Sequence, residues 1–501
     1  MRHLSRLAAF TLALAGCNYF SGADDIELST EATTGGSAAP AYLPADGVSL
    51  ASVAIYQGVE RIVAKDGAGV AEGVPIVAGR DALVRLFYAV NADYDKEPVI
   101  ARLFLDDGEP LEVTAPLGAG STLDVLTSTL NFDVPGERVT TTTSFRAEIL
   151  QAAAKTTGDN AAAVFPAEGT HPLYATSAGP SLKLVLVPIA YGADGSGRLP
   201  DTSPEQLERY RNTFYKLYPT PAVDVRVVEQ PLVWNAPVLA NFSGWQDLLN
   251  AMIDVRKNGG AKHEEFWYGV FSPSATFESY CGGGCVAGLS LLGDDPNQAW
   301  LRAGIGLGFT GEGVTMTAVH EIGHEHGRNH APCGTNQGLD LAFPTQGAIL
   351  DAWGFDLIAR TLVAKDTNKD FMSYCGPAWI TAYTYSALLS RLQTVNAAAM
   401  ASRVSGARGG GERARSGAPH AESYERIGVG ADGTLTWLAP LELDEPARGE
   451  QLDATVTSDA GDEPVTAQYF PYSHGGGGLL LVPRGEAKAR AVGSRFGRIG
   501  R

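Results

Sequence analysis

One segment constrains this chain more than any other: Thr-Met-Thr-Ala-Val-His320-Glu321-Ile-Gly-His324-Glu-His-Gly327-Arg-Asn-His330. Its core is H-E-x-x-H. On a helix, positions i and i+4 lie one above the other, so His320 and His324 can grip one metal ion. Imidazole nitrogens suit zinc. Glu321 then sits beside the ion, where it can take a proton from bound water. Gly327 permits a sharp exit from the helix. The turned chain can bring His330 back as a third ligand, and three protein ligands with one open position is the catalytic rather than the structural pattern. His326 falls on a different helical face from His324, so it is expected beside the site or in solvent and not as a ligand. The opposing possibility is a helix with surface histidines, which the extended spacing through Gly327 and His330 disfavours.

The full spacing H-E-x-x-H-x-x-G-x-x-H resembles that of the metzincin clan of zinc endopeptidases. Asp370-Phe371-Met372-Ser373-Tyr374 resembles the clan's Met-turn, whose methionine packs under the zinc ligands without binding the ion. Tyr374, two past Met372, resembles a switchable tyrosine that can touch zinc at rest and later stabilise the tetrahedral intermediate; the plainer alternative is a core aromatic. Ala331 departs from the named families, which carry Asp, Pro or Glu after the third histidine, so the family within the clan is left open. The resemblance covers residues 180–400 and implies an α+β metzincin catalytic domain. It also implies an extended polypeptide or glycoprotein substrate paired with an edge strand at Val286–Leu291. The implied reaction is peptide-bond hydrolysis through zinc-activated water, with Glu321 as general base.

The rest of the chain frames that domain. Residues 45–178 carry short alternating segments, such as Ser49–Tyr56, Ala82–Tyr88, Val99–Phe104 and Phe145–Leu150, separated by Gly, Asp and Pro turns. They are expected to form a β-sandwich-like domain. Leu182–Val187, Val223–Val228 and Phe266–Phe271 read as strands between helices. One helix is expected from an N-cap at Ser203 to Leu217, with Gln206 reaching back to the cap. Another is expected from Ser243 to Val255, and a last one within Pro377–Leu392. Residues 402–421 read as a Gly/Arg/Ala-rich linker. Residues 422–501 read as a small C-terminal β domain, with candidate strands at Leu435–Trp437, Leu452–Thr457, Val465–Phe470 and Leu479–Val482.

The N-terminus opens with Arg2 and Arg6 before a short apolar run and Leu14-Ala15-Gly16-Cys17. Residues 1–16 read as an export signal, too short to span a bilayer. Their end resembles a bacterial lipobox, which implies lipidation of Cys17 and anchoring in the outer membrane, facing the periplasm or the exterior. Residues 17–44 read as a flexible tether. Export leaves Cys281, Cys285, Cys333 and Cys375 free to form disulfides, and four cysteines allow three pairings. In the clan fold the segments around Cys333 and Cys375 both approach the metal from below. The resemblance therefore implies a Cys333–Cys375 bond, with Cys281–Cys285 closing a small ring; metal ligation by cysteine is the alternative. Asp366, Asn368 and Asp370 bunch before the Met-turn and offer oxygen ligands to Ca2+, or simply form a polar turn.

The formal net charge of −18 and a pI near 4.9 make a basic nucleic-acid surface improbable. No later apolar run is long enough for a membrane span, and a monomer is expected. A cysteine-switch latency device would need a free cysteine ahead of the catalytic domain, and only Cys17 precedes it. The alternative function is a non-catalytic surface lipoprotein that binds glycan or protein and keeps a vestigial metal site. The intact Glu321 weighs against it, since zinc binding alone does not need that residue.

Overall fold

The computed structural model describes residues 42–293, 295–408 and 422–501, with side chains in the last helix only to residue 400. The export signal, Cys17, most of the tether and residues 409–421 of the expected linker lie outside the described residues. Among the described residues, no helix is long and apolar enough to cross a membrane. The architecture is mixed α+β, built on several sheets.

The N-terminal region pairs two antiparallel sheets. One runs Tyr42–Pro44, Ser144–Ala152, Val99–Leu105, Leu111–Ala115; the other runs Glu60–Lys65, Val48–Tyr56, Ala82–Val90, Leu130–Val134, with Ala68–Gly69 at its edge. Period-2 alternation puts Val99, Ala101, Leu103 and Leu105 inward. They share one core with Val53, Ile55, Leu86, Phe132 and Ile149 from both sheets. Each fully buried aliphatic or aromatic side chain there is worth roughly 1.5–3 kcal/mol. Buried Arg80 ties this region to the next by donating to the Thr220 carbonyl at 2.7 Å, and Trp379 donates to Gly58 O at 2.8 Å.

The central sheet places Leu182–Tyr191 between Val223–Val227 and Glu265–Phe271, followed by Ala303–Leu307 and, at the edge, Gly288–Ser290. All neighbours are parallel except the last, which is antiparallel. Glu265–Phe271 is buried throughout because helices cover both faces. Phe214, Val319 and Leu388 pack on one face, and Leu248, Met252 and Trp245 on the other.

Several local details differ from the sequence expectation. The helix Pro204–Leu217 is capped by Ser203, but the Gln206 side chain does not reach back. It clamps Gly311 instead, accepting from its N–H at 2.9 Å and donating to its carbonyl at 3.1 Å. Gly311 lacks any capping side chain and opens the helix Glu312–Glu325, so Gln206 is buried where that helix begins. The helix expected from Ser243 is Trp245–Asn258, with Gly244 at φ +82° as its cap. A Cβ there would collide with the Pro237 carbonyl, so glycine wins over serine. The last helix is Ala382–Arg408 rather than a segment of Pro377–Leu392, and it runs into the first part of the expected linker. Trp379 lies before it in a two-residue strand.

The C-terminal region is a seven-stranded antiparallel sheet. Its order is Leu435–Leu443, Glu422–Val429, Gly478–Pro483, Gly461–Pro471, Glu450–Ser458, Ala491–Ser494, Gly497–Gly500. One face shares a core with the central sheet: Tyr424, Leu441, Phe470, Tyr472 and Leu481 pack with Leu248, Leu289 and Leu291. Buried Arg426 forks onto Asp254 at 2.9 and 2.7 Å across this junction.

Candidate metal centre

The helix Glu312–Glu325 carries His320, Glu321 and His324, all buried. It ends at Gly327, whose φ of +77° turns the chain back on itself. The returning strand is held at both ends of His330: its N–H donates to Gly338 O at 2.8 Å, and Asp340 N–H donates to its carbonyl at 2.9 Å. An Arg328–Asp340 ion pair at 2.7 Å braces the same turn. The three ring Nε2 atoms then converge, with His324 3.1 Å from both His320 and His330.

Second partners fix each ring. His320 Nδ1 meets Phe371 O at 2.8 Å, His324 Nδ1 meets Arg328 O at 2.6 Å, and His330 Nδ1 meets Gln337 O at 2.7 Å. A carbonyl can only accept, so each Nδ1 carries the proton and each Nε2 presents a bare lone pair. Three lone pairs aimed at one point, with no proton among them, repel unless a cation sits between them. A tetrahedral zinc site spaces its nitrogens by roughly 3.3–3.4 Å, close to what the rings adopt. Carbonyl-oriented imidazoles are the usual outer support of such sites. The donor set therefore fits a divalent metal. Burial pushes His320 and His330 down to about 4, and His324 well below its ordinary value, which keeps all three neutral and able to ligate at neutral pH.

The segment Asp370–Tyr374 lies directly beneath. Met372 is buried against Gly323, whose missing side chain leaves room for the sulfur. Ala331 N–H donates to Met372 O at 3.0 Å, and Tyr374 N–H donates to Cys333 O at 2.9 Å. Disulfides join Cys333 to Cys375 and Cys281 to Cys285. The Cys333–Cys375 bond links the His330 turn to the segment that carries Met372.

The contacts of Asp366, Asn368 and Asp370 agree with the polar-turn reading. Asp370 is fully buried, and accepts from Met372 N–H at 2.9 Å and from Thr381 N–H at 2.9 Å. Burial raises its carboxyl, and its oxygens are spent shaping the turn. Asp366 pairs with Lys365, and the Asn368 amide donates to Ala364 O. The three residues do not point at a common centre.

His326 is not part of the histidine cluster, as expected, and of the two places open to it solvent is excluded: it is buried, stacks on Phe266 with centroids 4.1 Å apart, and bonds the Ile322 carbonyl through Nδ1. Tyr374 is half exposed, and its hydroxyl is hydrogen-bonded to His474 Nδ1.

His474 is the residue that the sequence reading missed. It sits on the turn between the strands Gly461–Pro471 and Gly478–Pro483, and one of its ring nitrogens and one from each of His320, His324 and His330 all lie within 4.8 Å of one another. Its Nε2–H donates to Glu321 Oε1 at 2.7 Å. Glu321 Oε2 accepts from Ser290 Oγ at 2.9 Å and from Ser473 Oγ at 3.2 Å. Burial pushes the Glu321 carboxyl up, but His474 and Ser290 more than offset this, and it sits below its ordinary value as a carboxylate. The local signal was Ser473-His474 ahead of four glycines, a polar pair on a turn able to approach another backbone closely. Its partner Glu321 is remote in sequence, so no spacing rule connects the two.

A cleft of about 560 Å³ opens beside Glu321 and His320, walled by Cys285–Gly288 on one side and Ser373–Ala378 on the other. Gly288 is essential to the wall: a Cβ there would stand 2.6 Å from Glu321 Cγ.

No family model matches the chain, and no curated protein matches it. The site thus stands on its own chemistry: a buried histidine cluster able to hold a metal, with Glu321 bonded to the fourth histidine, as in a metal-dependent active site.

Proposed function

We propose that the chain is a zinc-dependent peptidase of the metzincin kind, acting on extended polypeptide or glycoprotein chains. The observation that carries this is the convergence of three bare Nε2 lone pairs with a buried carboxylate on the next residue of the same helix. The parallel sheet with an antiparallel edge strand, the helix of His320 and the methionine beneath it agree with that clan's plan. His320, His324 and His330 would hold the ion. When bound, zinc supplies Lewis acidity toward a carbonyl and lowers the pKa of water.

The protein's own groups do the rest. The Glu321 carboxylate, held in place by Ser290, Ser473 and His474, takes the proton from attacking water and returns it to the leaving amine. Its depressed pKa keeps it ready as a base at neutral pH. A substrate strand added along Gly288 would carry its carbonyl toward His320 and Glu321. Tyr374, on releasing His474 Nδ1, would turn its hydroxyl toward that carbonyl and donate to its developing charge, while His474 keeps its proton on Glu321. The two disulfides, and the expected lipidation of Cys17, agree with an exported protein held at the outer membrane.

The test is incubation of the pure, zinc-loaded protein with a proteome-derived peptide library, read by mass spectrometry. Cleavage that stops with a chelator and returns with zinc is expected. An intact library at full zinc occupancy would leave a binding protein as the better account.

A further inference from the structure

The edge strand is open along only half of its length. Ser290 accepts from Ser473 N–H at 2.8 Å, and its own N–H donates to Ser473 Oγ at 3.0 Å. Leu292 N–H donates to Pro471 O at 3.0 Å, and Leu291 forms an antiparallel bridge with Tyr472. Residues 471–473 therefore lie where one half of an added strand would lie. By the alternation of an antiparallel ladder, Gly288 turns its N–H and C=O to the same side as Ser290. That position faces the cleft beyond Glu321.

Nothing about the occupying turn suggests a loose flap. Pro471 and Gly478 pair at its base, and the strands they end are inner strands of the seven. Tyr472 is buried, and its hydroxyl meets the Asn250 amide at 3.2 Å. Phe470, Tyr472 and Leu479 share a core with Leu289 and Leu291. Displacing the tip would mean separating two packed sheets.

The occupying segment gives the direction: Pro471–Ser473 already lies antiparallel to the edge strand. A substrate that continues the same track runs from the Ser290 end along Gly288 toward Cys285, in the same sense as Pro471 to Ser473. It would begin at His474 and pass along Gly288 into the cleft. Residues after the cleaved bond have that cleft. Residues before it would need the space of Pro471–Ser473. In register, Ser473 lies opposite Ser290, two residues along the ladder from Gly288, or ~7 Å of extended chain.

We propose that the tip Pro471–Gly475 caps the substrate track, so that polypeptides are taken by their N-terminal ends. Roughly one or two residues then precede the cleaved bond. This rests on the peptidase reading and narrows the endopeptidase expected from the sequence to an end-directed enzyme.

The experiment is a ladder of synthetic peptides that share one C-terminal half and carry increasing N-terminal extensions, given to the zinc-loaded protein. Mass spectrometry is expected to show short N-terminal stubs released at every length, with internal bonds cut slower by about a hundredfold. Equal cleavage of internal bonds overturns the proposal. Binding of one linear peptide, with its N-terminus free and with the same N-terminus fused behind a folded domain, to zinc-loaded Glu321→Gln protein, read by fluorescence anisotropy, separates the two claims. Affinity that is lost in the fused form supports the cap even where nothing is hydrolysed, and that combination would sink the peptidase reading alone. Equal affinity for the two forms, or no binding at all, overturns the cap.

Discussion

Replacing Gly288 with alanine tests how tightly the edge strand is built against the general base. A Cβ at Gly288 would stand 2.6 Å from Glu321 Cγ, 2.6 Å from its Oε1 and 2.8 Å from Thr317 Cγ2. Ordinary carbon contacts fall near 3.5–4.0 Å, so about 1 Å of movement is forced. The carboxylate cannot swing aside cheaply, because Ser290, Ser473 and His474 hold both of its oxygens. Either the strand or the base must shift. Overpacking of this kind costs about 1–3 kcal/mol in stability. A misplacement of ~1 Å costs about a hundredfold in rate, or ~2.7 kcal/mol of barrier. The histidine cluster is untouched, so zinc content should stay at the wild-type value. Gly493→Ala is the control, since nothing lies within 4 Å of a Cβ there. Chemical denaturation, metal analysis and peptide turnover are measured on both variants. A Gly288→Ala protein with wild-type turnover and stability would refute this packing of strand on base.

Two further substitutions probe the supports of the site. Removing the Cys333–Cys375 bond by double alanine substitution opens a link spanning 42 residues; chain entropy puts the loss at about 4 kcal/mol. The denaturation midpoint and the zinc affinity should fall together, and an unchanged zinc affinity would show that the clamp does not serve the metal. His326 tests acid stability. Burial holds it down to about 3 in the folded protein, against an ordinary 6.5. The unfolded chain therefore takes up the proton first, so this stability is whole above pH 6.5 and is lost as pH falls toward 3. At pH 5 the loss is about 2 kcal/mol. His326→Phe keeps the stacking on Phe266 and removes the titration, so its stability should fall less between pH 7 and 5 by about that amount; parallel curves would contradict the assignment.

The parts of the site legible in the sequence were those set by short-range geometry. His320 and His324 are one helical turn apart, and Gly327 marks the turn that returns His330. What was not legible depended on contacts between distant segments. His474 and Ser473 reach Glu321 only because the C-terminal sheet packs its Phe470 and Tyr472 against Leu289 and Leu291, and no local pattern announces that docking. By spacing, His326 fell on a helical face away from His324 that solvent could have reached, yet Phe266 on a central strand covers it. Asp366, Asn368 and Asp370 had the composition of an oxygen-ligand loop, but the Asp370 carboxyl is used by the backbone N–H groups of Met372 and Thr381. Ser243 carried the chemistry of an N-cap, and the close approach of Pro237 gave that place to Gly244. Strand interiors such as Val99–Leu105 followed their alternation, because burial on one face is decided by each residue in turn.

The central claim is that His320, His324 and His330 hold a catalytic zinc ion and that Glu321 is the base beside it. The most direct measurement is zinc stoichiometry together with peptide hydrolysis in wild-type, Glu321→Gln and His330→Ala proteins. The expected outcome is one zinc per chain in the first two, a large loss of zinc in the third, and hydrolysis in the wild type alone. Wild-type rates in a fully loaded Glu321→Gln protein, or full zinc occupancy without His330, would contradict it.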